Sequence, residues 1–304
     1  MICPNRDRIS AALRRLVVNP VAVAGLLASG CSGASQGSEE VSPGPAPTLR
    51  NAAEYSLPLM GYVPSYEERL VVDRGVSARQ VACAARYGVV ISPEEPDPNS
   101  LEAEYDQSRR YGVVDRSEVE QYGYGQKPSS YVEPDRESRV SEPGRDEVLS
   151  GKTDSGEPSS MRDQDGNPLP DGGCGKIGWD DIREGTDIGT ELPQQLLGEA
   201  YSLMLENADF QAAEKDWVAC MKRSGYDFEH RWDAGNSVGG EDEQRQREMA
   251  LLDLGCAEEV NYVGRAYAVD VAIQNKLIQD NETGLRGALD VQRKVLERAK
   301  EALK

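Results

Sequence analysis

Apolar residues recur at a spacing of three or four along the C-terminal part of the chain. Between 241 and 304 there is no proline, and Val260, Val263 and Tyr267 begin a series that continues to Leu303. This spacing places one apolar stripe on a helix, so we predict a very long C-terminal helix. If the helix bends, the candidate positions are Gly255, Gly284 and Gly287. Its second half outruns every other predicted element, so we expect it to project, to pack on another copy or to dock on a partner.

Helix-capping patterns predict the helices nearer the start of the chain. Ser65 and Glu68 have the spacing of a capping box and predict a short helix, which Gly75 ends. A second capping box, beginning at Ser77, opens the helix that carries Cys83. Further helices are predicted over 101–110, 117–122, 190–207 and 210–224.

The stretch YDFEHRW, residues 226–232, alternates aromatic and charged residues. Such alternation predicts a short strand with one aromatic side. Tyr226, Phe228 and Trp232 would share that side, where they either stack on a sugar ring or form a small stripe of the core. These three residues are the candidate ligand-stacking residues.

The composition changes between the two groups of predicted helices. From 126 to 173 the chain is rich in Pro, Ser, Gly, Asp and Glu, and we expect an excursion at about 134–170 to be poorly ordered. The predicted fold class is mostly α, with two disulfide-stapled helical units, an irregular Pro/Gly/Ser-rich excursion between them and a long C-terminal helix. The predicted divisions are a signal peptide at 1–30, a lipidated cysteine and flexible tether at 31–50, the first stapled unit with its excursion at 51–184, and the helical unit with the long C-terminal helix at 185–304.

The start of the chain has the order of charged and apolar residues found in export signals. Four arginines precede a mostly apolar run over 16–29, which is typical of a signal peptide and too short to span a membrane. The run ends in LASGC, which resembles the lipobox of bacterial lipoproteins and implies cleavage before Cys31 and lipidation of its thiol. The alternative to a lipoprotein signal is an ordinary secretory signal. The pair Arg14-Arg15 also allows export by the twin-arginine route. The predicted location is the extracytoplasmic face of the cell membrane.

One short phrase containing a cysteine occurs twice. Val-Ala-Cys ends at Cys83 and again at Cys220, each followed by Arg three and Gly five positions later. One further cysteine follows each copy, Cys174 and Cys256. Outside the membrane thiols oxidise, and of the three connectivities the repeat favours Cys83–Cys174 and Cys220–Cys256. Zinc binding is the alternative role for these cysteines, but no C-x-x-C motif or histidine pair accompanies them.

Net charge and the remaining polar residues exclude several classes of function. A charge of −19 argues against a nucleic-acid partner, because such binding depends on clustered Lys and Arg. Histidine-dependent catalysis would require His230, the single histidine. Residues 163–167, DQDGN, resemble a calcium loop, but the glycine is misplaced and no closing Glu follows, so we predict a polar turn. The sequence indicates no catalytic residue, cofactor or metal.

Several short motifs together resemble predicted cell-envelope lipoproteins of actinobacteria. They are the lipobox-like start, the Cys-x4-Gly helices, Trp217-x-x-Cys220-Met221, Leu254-x-Cys256 and the C-terminal helix with Gln274. The resemblance implies an envelope location and a cysteine framework, and no activity. We therefore expect a non-catalytic binding or scaffold lipoprotein, with a protein partner or self-association through the C-terminal helix. The alternatives are a ligand- or glycan-binding accessory protein of a transport system and an envelope hydrolase.

Overall fold

The structure is a computed structural model that describes residues 41–125, 142–185 and 187–304. The predicted signal peptide at 1–30 and the predicted lipidation site, Cys31, lie outside the described residues. Most of the described residues are helical, which confirms the predicted mostly α fold class, and among them the only β pairing is two isolated bridges. The helices are α1 (Tyr66–Arg86), α2 (Pro98–Glu104), α3 (Arg116–Tyr122), α4 (Arg145–Ser150), α5 (Gly173–Arg183), α6 (Glu191–Glu206), α7 (Ala208–Arg223), α8 (Arg231–Ser237), α9 (Glu243–Glu259), α10 (Tyr262–Asp280) and α11 (Glu282–Ala302).

The end of the predicted tether, residues 41–50, lies against the protein. Val41 and Leu49 pack on the main apolar core, and the carbonyl of Pro47 accepts a hydrogen bond from Asn261 Nδ2 at 3.1 Å. These contacts hold the backbone in place, so the prediction of a flexible tether is wrong for 41–50.

Helix α1 is one continuous helix and not the two that the capping patterns predicted. It begins as expected, with Ser65 accepting a hydrogen bond from the backbone N–H of Glu68. It then passes through Gly75 without a break, and Ser77, the predicted second N-cap, instead accepts a hydrogen bond from the backbone N–H of Glu94 at 2.6 Å. Gly75 lies where α1 contacts α11: a Cβ added there would be 2.7 Å from the Cα of Ala299. The glycine therefore permits close helix packing and does not end the helix.

The C-terminal region is helical as predicted, but it is divided into α9, α10 and α11. The divisions fall at Asn261, which has left-handed backbone angles, and at Asn281, and not at the three glycines. The final helix α11 packs along α1 through Val295 and Ala299, and Leu285 near its start is buried in the main apolar core. The expectation that this half projects is therefore wrong, because α1 and the main core together bury these residues of its apolar stripe.

Both predicted disulfides are present. Cys83 of α1 is joined to Cys174 of α5 across 91 residues, and we call this the long-loop disulfide. Cys220 of α7 is joined to Cys256 of α9 across 36 residues, and we call this the short-loop disulfide. Each disulfide joins two helices. Both disulfides lie within one compact unit, residues 41–304.

The described part of the expected excursion is ordered. Residues 142–170 contain α4 and two turns closed by the bridges Lys152↔Pro158 and Arg162↔Pro168. Val148 and Leu169 are buried beside the long-loop disulfide. The expectation of poor order is therefore wrong for 142–170, because two apolar side chains and the nearby disulfide attach the segment; residues 134–141 lie outside the described residues.

The main core lies among α6, α7 and α10. Trp217 and Met221 of α7 are fully buried, and they belong to the same cluster as Leu196 of α6 and Val269 of α10. Two buried ion pairs, Arg110 with Asp270 and Arg231 with Asp253, accompany this core, and all of their residues except Asp270 line the candidate site.

Candidate functional site

The first buried ion pair joins Arg231, at the start of α8, to Asp253 in the middle of α9. The Nε of Arg231 donates to Asp253 Oδ1 at 2.7 Å, and its Nη atoms donate to the carbonyls of Tyr111 and Val113 at 2.6 and 2.8 Å. Trp217 Nε1 also donates to Asp253 Oδ1 at 3.0 Å. Both charges are buried with hydrogen-bond partners, which is the condition under which burial is tolerated.

The second pair, Arg110 with Asp270 of α10, is also buried. Tyr111 donates its hydroxyl to Asp270 Oδ2 at 2.6 Å, and the Gln274 side-chain amide donates to Asp270 Oδ1 at 2.9 Å. The carbonyl oxygen of that amide accepts the backbone N–H of Leu59 at 3.0 Å. Gln274, a polar residue within the predicted apolar stripe, is thus a fully bonded bridge between α10 and the segment before α1.

A cavity of about 300 Å³ lies beside these pairs, and we call it the Trp232 cavity. Its wall includes Arg109, Tyr124, Tyr201, Leu205 and Trp232. Trp232 is 48% exposed, which is unusual for the largest apolar side chain. Arg109 donates to the carbonyl of Gly125 at 2.7 Å and has no carboxylate partner within the described part of the chain. The cavity therefore combines an open aromatic face with a cation that has no ion-pair partner among those residues, although Asp106, Asp115 and Glu118 line a neighbouring pocket with it.

Burial controls the protonation of the phenols around the cavity. It raises the pKa of Tyr124, and the carboxylate of Asp253, which accepts the Tyr124 hydroxyl at 3.2 Å, raises that pKa further. Burial likewise raises the pKa of Tyr201. Both phenols are therefore neutral at ordinary pH, and the proton of the Tyr124 hydroxyl is already donated to Asp253.

The three candidate stacking residues are not on one strand. Tyr226 and Phe228 stack with ring centres 5.6 Å apart, and Phe228 stacks on the buried Trp217 at 6.3 Å. Trp232 is separated from them because α8 begins at Arg231, so no strand forms there. Tyr226 and Phe228 pack on the main core, whereas Trp232 faces the cavity. The predicted strand is wrong, since the helix N-terminus turns the chain between Phe228 and Trp232.

His230, the candidate for histidine chemistry, is the N-cap residue of α8. Its ring stacks on Trp232 with centres 4.3 Å apart, and its Nδ1 lies 3.8 Å from Glu214 Oε1. Glu214 also accepts the backbone N–H of Arg231 and the hydroxyl of Tyr262, both at 2.7 Å. His230 thus supports the indole ring from one side, leaving the rest of that ring half exposed.

The calcium-like stretch forms the predicted polar turn. Asp163 accepts the backbone N–H groups of Asp165 and Asn167 at 3.1 and 2.8 Å, and Arg86 lies 3.1 Å from its other oxygen. Hydrogen bonds from Asn167 lower the pKa of Asp163. The acceptor capacity of this carboxylate is used by the turn itself, and within the described residues no group of acids, histidines and cysteines is arranged to hold a metal.

Sequence reasoning missed the polar residues of the candidate site: Arg109 and Asp253, which line the cavity, and Asp270, which pairs with the lining residue Arg110. One signal was available: Asp270 stands four residues before Gln274, so the two share a helix face within an otherwise apolar stripe. Asp253 similarly lies between Leu252 and Leu254 on a helix that carries a cysteine. A carboxylate in such a place requires a buried cation, but nothing in the sequence says which arginine provides it.

No family model matches the chain, and neither the curated proteins nor the solved structures include a match to it. The resemblance to actinobacterial envelope lipoproteins therefore stays a prediction. Across the described ranges, no helix has the length and apolar character needed to cross a membrane.

Proposed function

We propose that this protein is a lipid-anchored, extracytoplasmic binding protein without a catalytic role, and that it holds its ligand at the Trp232 cavity. The observation that carries the proposal is the half-exposed indole ring of Trp232 beside an open cavity. An aromatic ring of this kind offers a flat apolar face for the face of a sugar ring. Two disulfides and the signal-like start of the sequence support an oxidising location.

The charge at the cavity favours an acidic ligand. Arg110 and Arg231 are neutralised by Asp270 and Asp253, whereas Arg109 has no such partner among the described residues. We therefore propose a sugar that carries a carboxylate, such as a fragment of cell-wall glycan. A cavity of about 300 Å³ is at the small end of the range for ligand pockets and suits one sugar ring.

Calorimetric titration with N-acetylmuramic acid and with its neutral relative N-acetylglucosamine tests this proposal. We expect the acidic sugar to bind more tightly, and Trp232→Ala to weaken binding of both at least about tenfold, because stacking is lost. Arg109→Gln should weaken only the acidic sugar. Leu303→Ala is the matched control, since Leu303 is as exposed as Trp232 but outside the cavity. Absence of binding by the unaltered protein, or equal binding by Trp232→Ala, would contradict the proposal.

The lipid anchor is tested separately in a bacterial host. Labelling with an alkyne-bearing fatty acid should mark the full-length protein, and Cys31→Ser should remove the label and release the protein from the membrane fraction. Cys3→Ser is the control, because it also removes a thiol but leaves the proposed acylation site and both disulfides. An unlabelled protein, or a Cys31→Ser variant that keeps its label, would contradict lipidation at Cys31.

A protein partner at the C-terminal helix is a second candidate. Leu289 and Leu303 of this region are 38% and 48% exposed, although Leu285, Val295 and Ala299 of the same helix are buried. Deleting 280–304 would remove buried Leu285, Val295 and Ala299 and so unfold the protein. Leu303→Glu is therefore the better test. If neither the pull-down partners nor the oligomeric state changes in this variant, the candidate is contradicted.

A further inference from the structure

A second and larger cavity lies between α1, α2, α5 and α11, and we call it the α1–α11 groove. Its volume is about 660 Å³, in the middle of the range for ligand pockets. The apolar part of its wall is formed by Val63, Val72, Leu101, Trp179, Ile188 and Leu296. Leu289 also belongs to the wall and is 38% exposed. An apolar chain would fit this wall better than a polar molecule, because its carbon atoms would leave water.

The polar part of the wall has an excess of one negative charge. Three carboxylates (Glu68, Asp73, Glu104) and two guanidinium groups (Arg69, Arg293) contribute to it, and 2 − 3 = −1. The partners of these five residues determine which of the charges are compensated.

Four of the five polar residues have partners of their own. Arg69 bonds to Glu104 at 3.2 Å, and its guanidinium lies over the ring of Tyr105. Glu68 accepts the backbone N–H of Ser65 at 2.8 Å as part of the capping box. Arg293 pairs with Asp290 on its own helix at 2.8 Å.

Asp73 is the fifth of these residues, and Glu68, whose partner is an uncharged backbone N–H group, also keeps its negative charge. Within the described ranges Asp73 has no hydrogen-bond or ion-pair partner for its side chain, and it is partly buried in the wall of the groove. Burial raises its pKa and the nearby carboxylate of Glu104 raises that pKa further, whereas the guanidinium of Arg69 lowers it; the net shift is upward. A second cation placed beside Asp73 would add to the effect of Arg69 and favour the charged carboxylate, whereas an anion would add a third negative charge to the same region.

We propose that the α1–α11 groove binds an amphipathic monocation, with an amine head beside Asp73 and an apolar chain along the wall. The proposal goes beyond the function proposed above, because it concerns a different cavity and a ligand of opposite charge. The net charge of −19 favours the approach of a cation over long distances. Fatty acids and long-chain alcohols share the apolar chain, so comparison with them isolates the contribution of the head group.

The test uses the purified full chain and three probes of equal chain length: dodecylamine, dodecanol and dodecanoate, each kept below its micelle concentration. Calorimetry should rank the amine first, with dodecanoate weaker at least about tenfold. Asp73→Asn should reduce the affinity for the amine about tenfold and leave that for the alcohol unchanged, because it removes the charge and keeps the shape. Asp154→Asn is the control, since Asp154 is exposed and outside the groove.

A second pair of variants tests the position of the chain. Leu289→Trp enlarges a side chain of the wall, so it should reduce the space in the groove and weaken binding of all three probes, whereas Leu303→Trp adds the same ring outside the groove and should not. Far-ultraviolet circular dichroism and thermal unfolding check that both variants fold. Dodecanoate binding as tightly as dodecylamine, an unchanged preference in Asp73→Asn, or full binding by folded Leu289→Trp would each overturn the proposal. Sugar binding at the Trp232 cavity is measured on the same variants and should not change.

Discussion

Replacing Gly75 by alanine tests the close contact between α1 and α11. In an exposed helix this change would stabilise the protein by about 1 kcal/mol, because alanine favours the helix. At Gly75 the new Cβ would lie 2.7 Å from both the Cα and the Cβ of Ala299 and 2.9 Å from its carbonyl oxygen. Because two of these three atoms are backbone, the helices must separate, and overpacking of this kind costs up to about 3 kcal/mol. We expect a net loss of about 2 kcal/mol in the free energy of unfolding.

Gly287→Ala is the matched control for this substitution. Gly287 lies inside α11, and a Cβ added there would meet no atom within 4 Å. It should therefore stabilise the protein by about 1 kcal/mol. Urea unfolding followed by circular dichroism measures both variants, and the melting temperature of Gly75→Ala should fall by about 4–8 °C. If Gly75→Ala is as stable as the unaltered protein, or more so, the close packing of these helices is refuted.

Three further predictions concern the disulfides, the buried charge and the tyrosines. Removing the long-loop disulfide by paired serine substitutions should lower the free energy of unfolding by about 4.6 kcal/mol, and removing the short-loop disulfide by about 3.8 kcal/mol. The loss is larger for the long loop because the entropy of loop closure grows with the sequence separation, 91 against 36 residues. Urea unfolding measures both losses, and a reversed order would refute the entropic argument. Asp253→Asn leaves Arg231 buried without its counter-ion and should lower the free energy of unfolding by about 3–5 kcal/mol. Asp216→Asn breaks a surface pair with Arg265 and should lower it by less than about 1 kcal/mol. Equal losses of the free energy of unfolding in the two variants would contradict this. Burial raises the pKa of Tyr105 to about 12, above the value of about 10 in an unfolded chain. The contribution of the neutral phenol to stability is therefore complete below about pH 10 and is lost as the pH rises towards 12. If the free energy of unfolding of Tyr105→Phe in urea falls as steeply with rising pH as that of the unaltered protein, this reasoning is refuted.

The parts of the fold that depend on neighbouring residues in the chain could be predicted. The capping box at Ser65 correctly marked the start of α1, because the side chain and the N–H group that it binds are three residues apart. The repeat around Cys83 and Cys220 correctly predicted the disulfide pairing. The turn at Asp163 was also found, since its hydrogen bonds are all within four residues apart from the one to Arg86.

The errors concern residues whose role depends on a distant part of the chain. Gly75 resembles a helix stop until Ala299, more than two hundred residues later, is seen against it. The order of 142–170 depends on Val148 and Leu169 meeting the long-loop disulfide, although the segment has few other apolar residues. The candidate site shows the same pattern, because Trp232 was identified but its separation from Tyr226 and Phe228 depended on where α8 begins.

The sequence by itself determined the mostly helical fold class and favoured the disulfide pairing that the structure shows, and it supports the prediction of an exported lipoprotein. The fold class follows from local periodicity, whereas the pairing of cysteines 91 and 36 residues apart was inferred from the repeated motif around Cys83 and Cys220. Only the tertiary structure decided that α11 packs on α1, that Arg110 and Arg231 are neutralised by Asp270 and Asp253, and that Asp73, in the wall of an apolar groove, has no side-chain partner among the described residues. The physical reason is that packing and charge compensation join residues distant in sequence, so the choice of partner is made only when the helices assemble.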